Sequence, residues 1–199
     1  DSFLKQPQFM GWVNSTYEGD LLGTAGTIRK NSDFCKDSTI LLAHADNWTC
    51  CNFSDFLDYH HNQRPKDTVI TMMTFTCLDP KSCGIVELDN NGVVVDFHEK
   101  VENPPGYLAN AAVYILEPEI VEWIKNNPGV SDFSTEVVPK FIGRIATWEN
   151  KEIHRDIGTI DSLRKAQNDE CNFTLHSEIN LWQQNFLENK IHQMINNDS

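Results

Sequence analysis

The chain has 199 residues, of which 40% are hydrophobic and 10% aromatic, enough for one domain with a buried core. This excludes a disordered tail and a disulfide-stapled miniprotein. Sixteen basic residues against 29 acidic ones leave a net charge of −13, which excludes nucleic acid and anionic membranes as main partners, and any phosphate-bearing substrate would need a local cation.

The chain opens without Met, as DSFLKQPQFMGWVNSTYE, which reads as the end of a helix, a loop and a short strand over 12–17, so a fragment or a processed chain is expected. Gly23 and Gly26 then stand in a loop running into a helix by residue 30. Residues 38–45, STILLAHA, form an apolar run that predicts a strand buried on both faces and ending at Asp46. A helix is predicted over 53–64, with Phe53, Phe56, Leu57 and His60 on one side, and a strand over 68–77. Residues 84–100 read as a hairpin turning at Asn90-Asn91-Gly92. A buried strand follows over 109–116, and Pro118 opens a helix reaching about Asn126. Residues 131–144 read as a second helical region and 147–154 as a hairpin about Asn150-Lys151. Thr159 is placed to cap a helix over 160–168. Residues 177–195 carry Ile179, Trp182, Phe186, Ile191 and Met194 near helical spacing. That amphipathic helix either packs on its own domain or forms a contact between two copies, which would make a homo-oligomer.

Strands alternating with helices, some strands paired as hairpins, imply an α/β fold with a mixed sheet. The domain division expected is 1–170 for the main domain and 171–199 for a C-terminal helical extension. The six cysteines, at 35, 50, 51, 77, 83 and 171, contain no CxxC, and the adjacent pair 50 and 51 is an awkward disulfide, so reduced thiols and a cytoplasmic protein are expected. Four N-x-S/T triplets, beginning at Asn14, Asn47, Asn52 and Asn172, are read as coincidence in a chain rich in Asn, Ser and Thr. No signal peptide and no apolar run near 18 residues is present.

Two aspartates stand out by position. Asp46 ends a strand and Asp156 begins a Gly-containing turn before a helix; in open α/β sheets ligands gather beyond the carboxyl ends of strands. Two carboxylates meeting there would suit Mg²⁺, which favours hard oxygen ligands. The segment Gly23-Thr24-Ala25-Gly26 lets backbone approach a flat or anionic ligand. Glu99 could accept from sugar hydroxyls, and Lys100 could neutralise a phosphate. Each feature also has an ordinary reading as a turn, cap or exposed pair. The seven histidines show no standard zinc spacing such as HExxH, and no G-x-S-x-G elbow supports a serine hydrolase.

Five segments in order resemble the sugar-phosphate nucleotidyltransferases, above all the guanylyltransferases acting on mannose 1-phosphate or D-glycero-D-manno-heptose 1-phosphate. LLGTAGT (21–27) is similar to the family's LGTAG loop, and LLAHADN (41–47) stands where the family has a strand ending in a metal-binding Asp. CGIVELDNNGVVVDFHEKVENPP (83–105) resembles the YGVVE…EKP stretch. LANAAVYIL (108–116) resembles the N-A-G-x-Y strand, and HRDIGTIDSLRKAQ (154–167) the D-I-G-T segment. The resemblance spans about residues 12–168. It implies a Rossmann-like fold with a mixed, mainly parallel sheet, N-terminally incomplete. It implies transfer of a nucleotidyl group from a nucleoside triphosphate to a sugar 1-phosphate, with release of pyrophosphate. Asp46 and Asp156 would hold Mg²⁺ against the nucleotide phosphates, and Gly23 to Gly26 would lie against the base. Glu18 would meet the base edge, where a carboxylate suits the N1–H and N2–H₂ of guanine. Gly84, Glu99 and Asn110 would line the sugar site, and Lys100 would meet the sugar phosphate.

Departures from the family pattern are His44-Ala45-Asp46 in place of Asn-Gly-Asp, Ala112 in place of Gly, and Val101 in place of the Pro of E-K-P. The family's opening strand and its G-G-x-G-T-R-L-x-P loop are not in this chain. Alone, therefore, it is expected to be inactive or badly folded unless another segment supplies those strands. A non-catalytic regulatory or scaffolding subunit that binds a sugar nucleotide is the alternative.

Overall fold

The structure, a computed structural model, describes residues 3–35 and 37–170. It divides into two compact units, one containing Asp1–Asp20 and the other running from Leu21 to Cys171. In the first, residues 3–5 and 7–9 form single 3₁₀ turns and residues 13–18 have no regular structure. The strand expected over 12–17 is absent, because a strand exists only by pairing and no ladder takes up this segment.

The second unit is a layered α/β structure. Its elements are α1 (Thr24–Lys30), β1 (Ile40–Ala43), β2 (Asn47–Thr49), α2 (Phe53–Asp58), β3 (Ile70–Thr76), β4 (Gly84–Leu88), β5 (Val94–Glu99), β6 (Leu108–Leu116), α3 (Pro118–Asn126), β7 (Ile145–Glu149), β8 (His154–Asp156) and α4 (Ile160–Ala166). Six strands form the main sheet in the order β5-β4-β6-β3-β7, with β1 also paired to β6; β2 and β8 form a separate two-stranded sheet. The mixed sheet is as expected, but its balance is not mainly parallel. Among the described residues, β3–β7 is parallel and the other four pairings of the main sheet are antiparallel. The cause is local: β4 and β5 return directly on one another through a tight turn, which can only produce antiparallel neighbours, whereas a parallel pair needs a crossover.

The central strands β3 and β6 are covered on both faces. On one side Ile70, Met72, Tyr114 and Leu116 pack against Ala25 and Ile28 of α1 and Ile120 and Ile124 of α3. On the other, Met73, Val113 and Ile115 pack against Phe56 of α2. β1 differs from expectation. Its residues alternate between half-buried and exposed, with Leu41 50% exposed, because among the described residues β6 is its one strand partner. Phe53 and Leu57, expected on the inner side of their helix, are likewise largely exposed, whereas Phe56 and His60 are buried.

Two further expectations need correction. Residues 131–144 are not one helix but a π-helical turn, Phe133–Val137, followed by a 3₁₀ turn, Val138–Lys140; Pro139 has no N–H to continue a helix. Residues 147–154 are not a hairpin. β7 pairs with β3, while β8 leaves to pair with β2. Buried Asn150 directs this departure: its N–H donates to Thr74 O, its amide donates to Ile153 O and its Oδ1 accepts from the Glu152 N–H. Cys50 is disulfide-bonded and its neighbour Cys51 is free, so the reading of six reduced thiols does not hold at Cys50. The awkwardness of a 50–51 bond says nothing about a bond to a distant residue. No helix among the described residues is long and apolar enough to cross a membrane. The helix expected over 177–195, and with it the 171–199 extension, lies outside the described residues.

Candidate functional site

The β2–β8 ladder places Asp46 beside Asp156. Asn47 pairs in register with Asp156, and the Ile157 N–H donates to Asp46 O at 2.8 Å. The Asp156 carboxylate accepts the Gly158 N–H at 2.7 Å. A Cβ on Gly158 would lie 2.9 Å from Asp156 Oδ1 and 3.9 Å from Asp46 Oδ2, so the two carboxylates flank one point in space. Both are exposed, and they look into a cavity of about 520 Å³.

The opposite wall comes from the β4–β5 hairpin and from β6. Gly84 pairs in register with Glu99, and a Cβ there would come within 2.7 Å of Glu99 Oε2 and within 2.7 Å of the Phe97 ring. Glycine is thus what lets the Glu99 carboxylate fold over the strand. Burial raises the Glu99 pKa, the Lys100 ammonium lowers it, and Asp132 raises it again. Lys100 follows with a left-handed backbone, φ 50°, its N–H donating to Cys83 O and its Nζ 3.9 Å from Glu99 Oε1. A left-handed non-glycine residue is uncommon, and Lys100 lines the cavity.

On β6 the ladder with β3 shifts register between Met72 and Thr74, opposite Tyr114 and Asn110. The extra residues form a bulge, and Ala112 in it takes φ 52°. The conformation costs an L side chain energy that glycine, expected at this position from the sequence resemblance, would not incur. Within the bulge the Asn110 amide is fixed at both ends. Its Oδ1 accepts from the Ala112 N–H at 3.0 Å, and its Nδ2 donates to the hydroxyl of fully buried Tyr114 at 2.6 Å. Asn47 ties the two walls together by donating to Ala111 O at 3.0 Å.

One cavity therefore gathers six of the sequence-derived candidates: Asp46, Gly84, Glu99, Lys100, Asn110 and Asp156. It does not gather the rest. Gly23 to Gly26 pack against the 131–133 segment, where Ser131 O accepts the N–H groups of Ala25 (2.9 Å) and Gly26 (3.3 Å), and Thr24 Oγ1 accepts from the Phe133 N–H. Gly23 has φ 74°, and a Cβ there would overlap Ser131 O. Glu18 belongs to the other unit.

Sequence reasoning missed Asp132, Ser134, Thr135 and His154, which also line the cavity. Asp132 caps the π-helical turn, accepting from the N–H (2.7 Å) and hydroxyl (2.8 Å) of Thr135; the S-D-x-x-T-E pattern could have revealed that cap. His154 stands two residues before Asp156. Its Nδ1 is 2.8 Å from Thr49 Oγ1, its ring lies 4.5 Å from Phe75, and burial lowers its pKa to about 4, so it is neutral at physiological pH. Elsewhere, Glu87, Asp96 and His98 bring their ligand atoms within 4.8 Å of one another on the exposed face of the β4–β5 hairpin.

Among the described residues lining the cavity, four are carboxylates (Asp46, Glu99, Asp132 and Asp156) and one is a Lys or Arg, Lys100. A phosphate entering it meets more negative than positive charge. The paired oxygens of Asp46 and Asp156 suit a hard divalent cation, which would offset most of that excess.

Comparison with known proteins places this geometry in context. The nucleotidyl transferase family profile matches residues 4–172. The chain is 29% identical over 156 residues to the glucose-1-phosphate adenylyltransferase of Thermotoga neapolitana, covering 72% of this chain and 37% of that protein. It is 27% identical over 152 residues to the mannose-1-phosphate guanylyltransferase of Mycobacterium tuberculosis, covering 74% and 41%. The chain thus spans about two-fifths of the length of these curated relatives. In fold it is similar to a Bacillus anthracis protein assigned as a glucose-1-phosphate thymidylyltransferase and solved with sucrose, with TM-score 0.70, 21% identity and coverage of 84% of this chain and 69% of that one. It is also similar to HddC from Yersinia pseudotuberculosis complexed with GMP-PN, with TM-score 0.61, 23% identity and coverage of 76% and 64%. With a family match across most of its length, the chain belongs to the nucleotidyl transferase family, in which its matched relatives act on sugar 1-phosphates.

Proposed function

We propose that the protein joins a sugar 1-phosphate to a nucleoside triphosphate, GTP by preference, to give a nucleotide sugar and pyrophosphate. The observation that carries this reading is the meeting of Asp46 and Asp156 across one cavity from Glu99, Lys100 and Asn110. The two aspartates would hold Mg²⁺, which when bound neutralises phosphate charge and lowers the barrier to attack on the α-phosphorus. Lys100 would meet the sugar phosphate. Glu99 would accept from sugar hydroxyls, and the free N–H of Asn110, whose amide is already fixed at both ends, would donate to another. The protein's share of catalysis would be positioning and charge neutralisation. Gly23 to Gly26 would offer the base a surface for stacking, since the amides of Ala25 and Gly26 are engaged by Ser131. The preference for GTP rests on Glu18, a carboxylate suited to the donor edge of guanine.

A second reading, a subunit that binds a sugar nucleotide without turning it over, is favoured by that engagement of the loop amides. The two are separated by Mg²⁺-dependent pyrophosphate release from GTP, ATP or dTTP with a panel of sugar 1-phosphates. The assay would use this chain and an upstream-extended one, with Asp46→Asn as control. Turnover that falls by about 100-fold or more in Asp46→Asn is expected. Nucleotide-sugar binding without turnover in either protein would overturn the enzyme reading.

A further inference from the structure

Two thiols touch beside the cavity, one of them, Cys83, in its wall. Cys77 follows β3 and Cys83 precedes β4, and their Sγ atoms are 2.8 Å apart, both free. A disulfide bond is about 2.05 Å long, so its closure needs less than about 1 Å of travel. The backbone holds the two sulfurs together. The Cys77 N–H donates to Tyr107 O at 2.8 Å, and Cys83 O accepts the Lys100 N–H at 3.2 Å. Between them the chain makes a tight turn, Pro80–Ser82, whose start is tied by Ser82 N–H donating to Asp79 O. Cys77 is 5% exposed, and burial with the Cys83 contact pushes its thiol up to about 12. Cys83 is partly exposed and lines the cavity. The pair therefore has one reachable thiol and one resolving thiol behind it.

We propose that Cys77 and Cys83 form a second disulfide site, closed by exchange with a small-molecule disulfide, which fastens the 79–82 turn into the wall beside Gly84 and Lys100. The Cys83 thiolate attacks one sulfur of the disulfide and one thiol leaves. Cys77, held in contact with Cys83, then gives up its proton and attacks the Cys83 sulfur of the mixed disulfide, and the second thiol leaves. Two protein thiols are oxidised, one external disulfide is reduced, and two protons pass to the departing thiols. The loop closed is short and its ends are already in place, so the product should restrain the unfolded chain with little strain in the folded one.

Trypsin separates the pair, because Cys77 falls in peptide 67–81 and Cys83 in peptide 82–100. The full chain would be equilibrated with excess oxidised glutathione, alkylated, and digested without reduction. The expected result is one linked species containing both peptides, with Cys35 and Cys51 alkylated. Oxidation should also raise Tm by about 5 °C, a shift absent in Cys83→Ser. Recovery of the two peptides separately, with both cysteines alkylated or with glutathione held on Cys83 beside a free Cys77, would overturn the proposal. So would an equal Tm shift in Cys83→Ser.

Discussion

At the scale of single residues, the cavity depends on two small side chains. Gly84 leaves the space that Glu99 and Phe97 occupy. In Gly84→Ala the added methyl would push both away, costing about 1–3 kcal/mol of stability by overpacking. On the function proposed above, binding of a sugar 1-phosphate should weaken by about 10-fold or more, read by calorimetry. Ala112 is the opposite case. It holds φ 52°, a conformation that costs an L residue about 1–2 kcal/mol, whereas glycine adopts it freely and pays about 0.5–1 kcal/mol in chain entropy. Ala112→Gly should therefore stabilise the protein by about 0.5–1 kcal/mol in urea unfolding. A destabilised variant would mean that the Ala112 methyl packs productively against the core it borders. Both residues stand in segments whose family resemblance is plain, but the overlap at Gly84 and the strain at Ala112 needed coordinates.

Among the elements, those governed by local chemistry were legible in advance. α3 begins at Pro118 and ends at Asn126 as its sequence predicts, since proline favours the first turn of a helix. The β4–β5 hairpin turns where Asn-Asn-Gly stands, with Gly92 at φ 76° and Asp89 Oδ1 accepting from the Asn91 and Val93 N–H groups. α4 starts after Thr159, whose hydroxyl accepts from the Ser162 N–H at 3.1 Å. Thr159→Ala should cost about 1 kcal/mol, and Thr159→Ser should recover most of it, measured by thermal unfolding. α4 follows directly on Asp156, so loss of the cap should also loosen the turn that carries that carboxylate. The elements that could not be read are those decided by partners. β8 looks like the return arm of a hairpin with β7 until the structure pairs it with β2, and the 12–17 segment looks like a strand but finds no ladder. Periodicity reports which face is apolar; it does not say which strand lies alongside.

For the molecule as a whole, two histidines are held neutral by the fold. His60 is fully buried; burial, then the Arg64 charge, lowers its pKa to about 4, while Glu117 and Thr71 lie at hydrogen-bond distance from its ring nitrogens. His154 is lowered to about 4 by burial. In the unfolded chain both would take a proton near pH 6.5. The folded state binds fewer protons than the unfolded state between those values, so their contribution is complete above pH 6.5 and lost as pH falls towards 4. The unfolding free energy from urea titrations should fall steadily across that window, by on the order of a few kcal/mol in total. A flat profile from pH 6.5 to 4.5 would show that neither histidine is kept neutral. At this scale too the charge arithmetic has structural content: a chain with net charge −13 concentrates four carboxylates around one lysine, so a divalent cation would have to accompany any phosphate there.

What the sequence by itself determined is what short-range chemistry controls. Caps, tight turns, the hairpin, the apolar runs of β3 and β6 and the order of the five family segments all depend on neighbours within a few residues. The identity of the two aspartates followed from the same reading, since each sits at a strand–turn junction. Their convergence did not, because it requires Asn47 and Asp156 to become register partners although more than a hundred residues separate them. The same holds for the Cys77–Cys83 contact, the bulge that bends Ala112 and the seating of Gly23 to Gly26 against Ser131. Each is set by which strand or loop the chain meets after collapse, and that choice is made by the packing of the whole sheet rather than by any local run of residues.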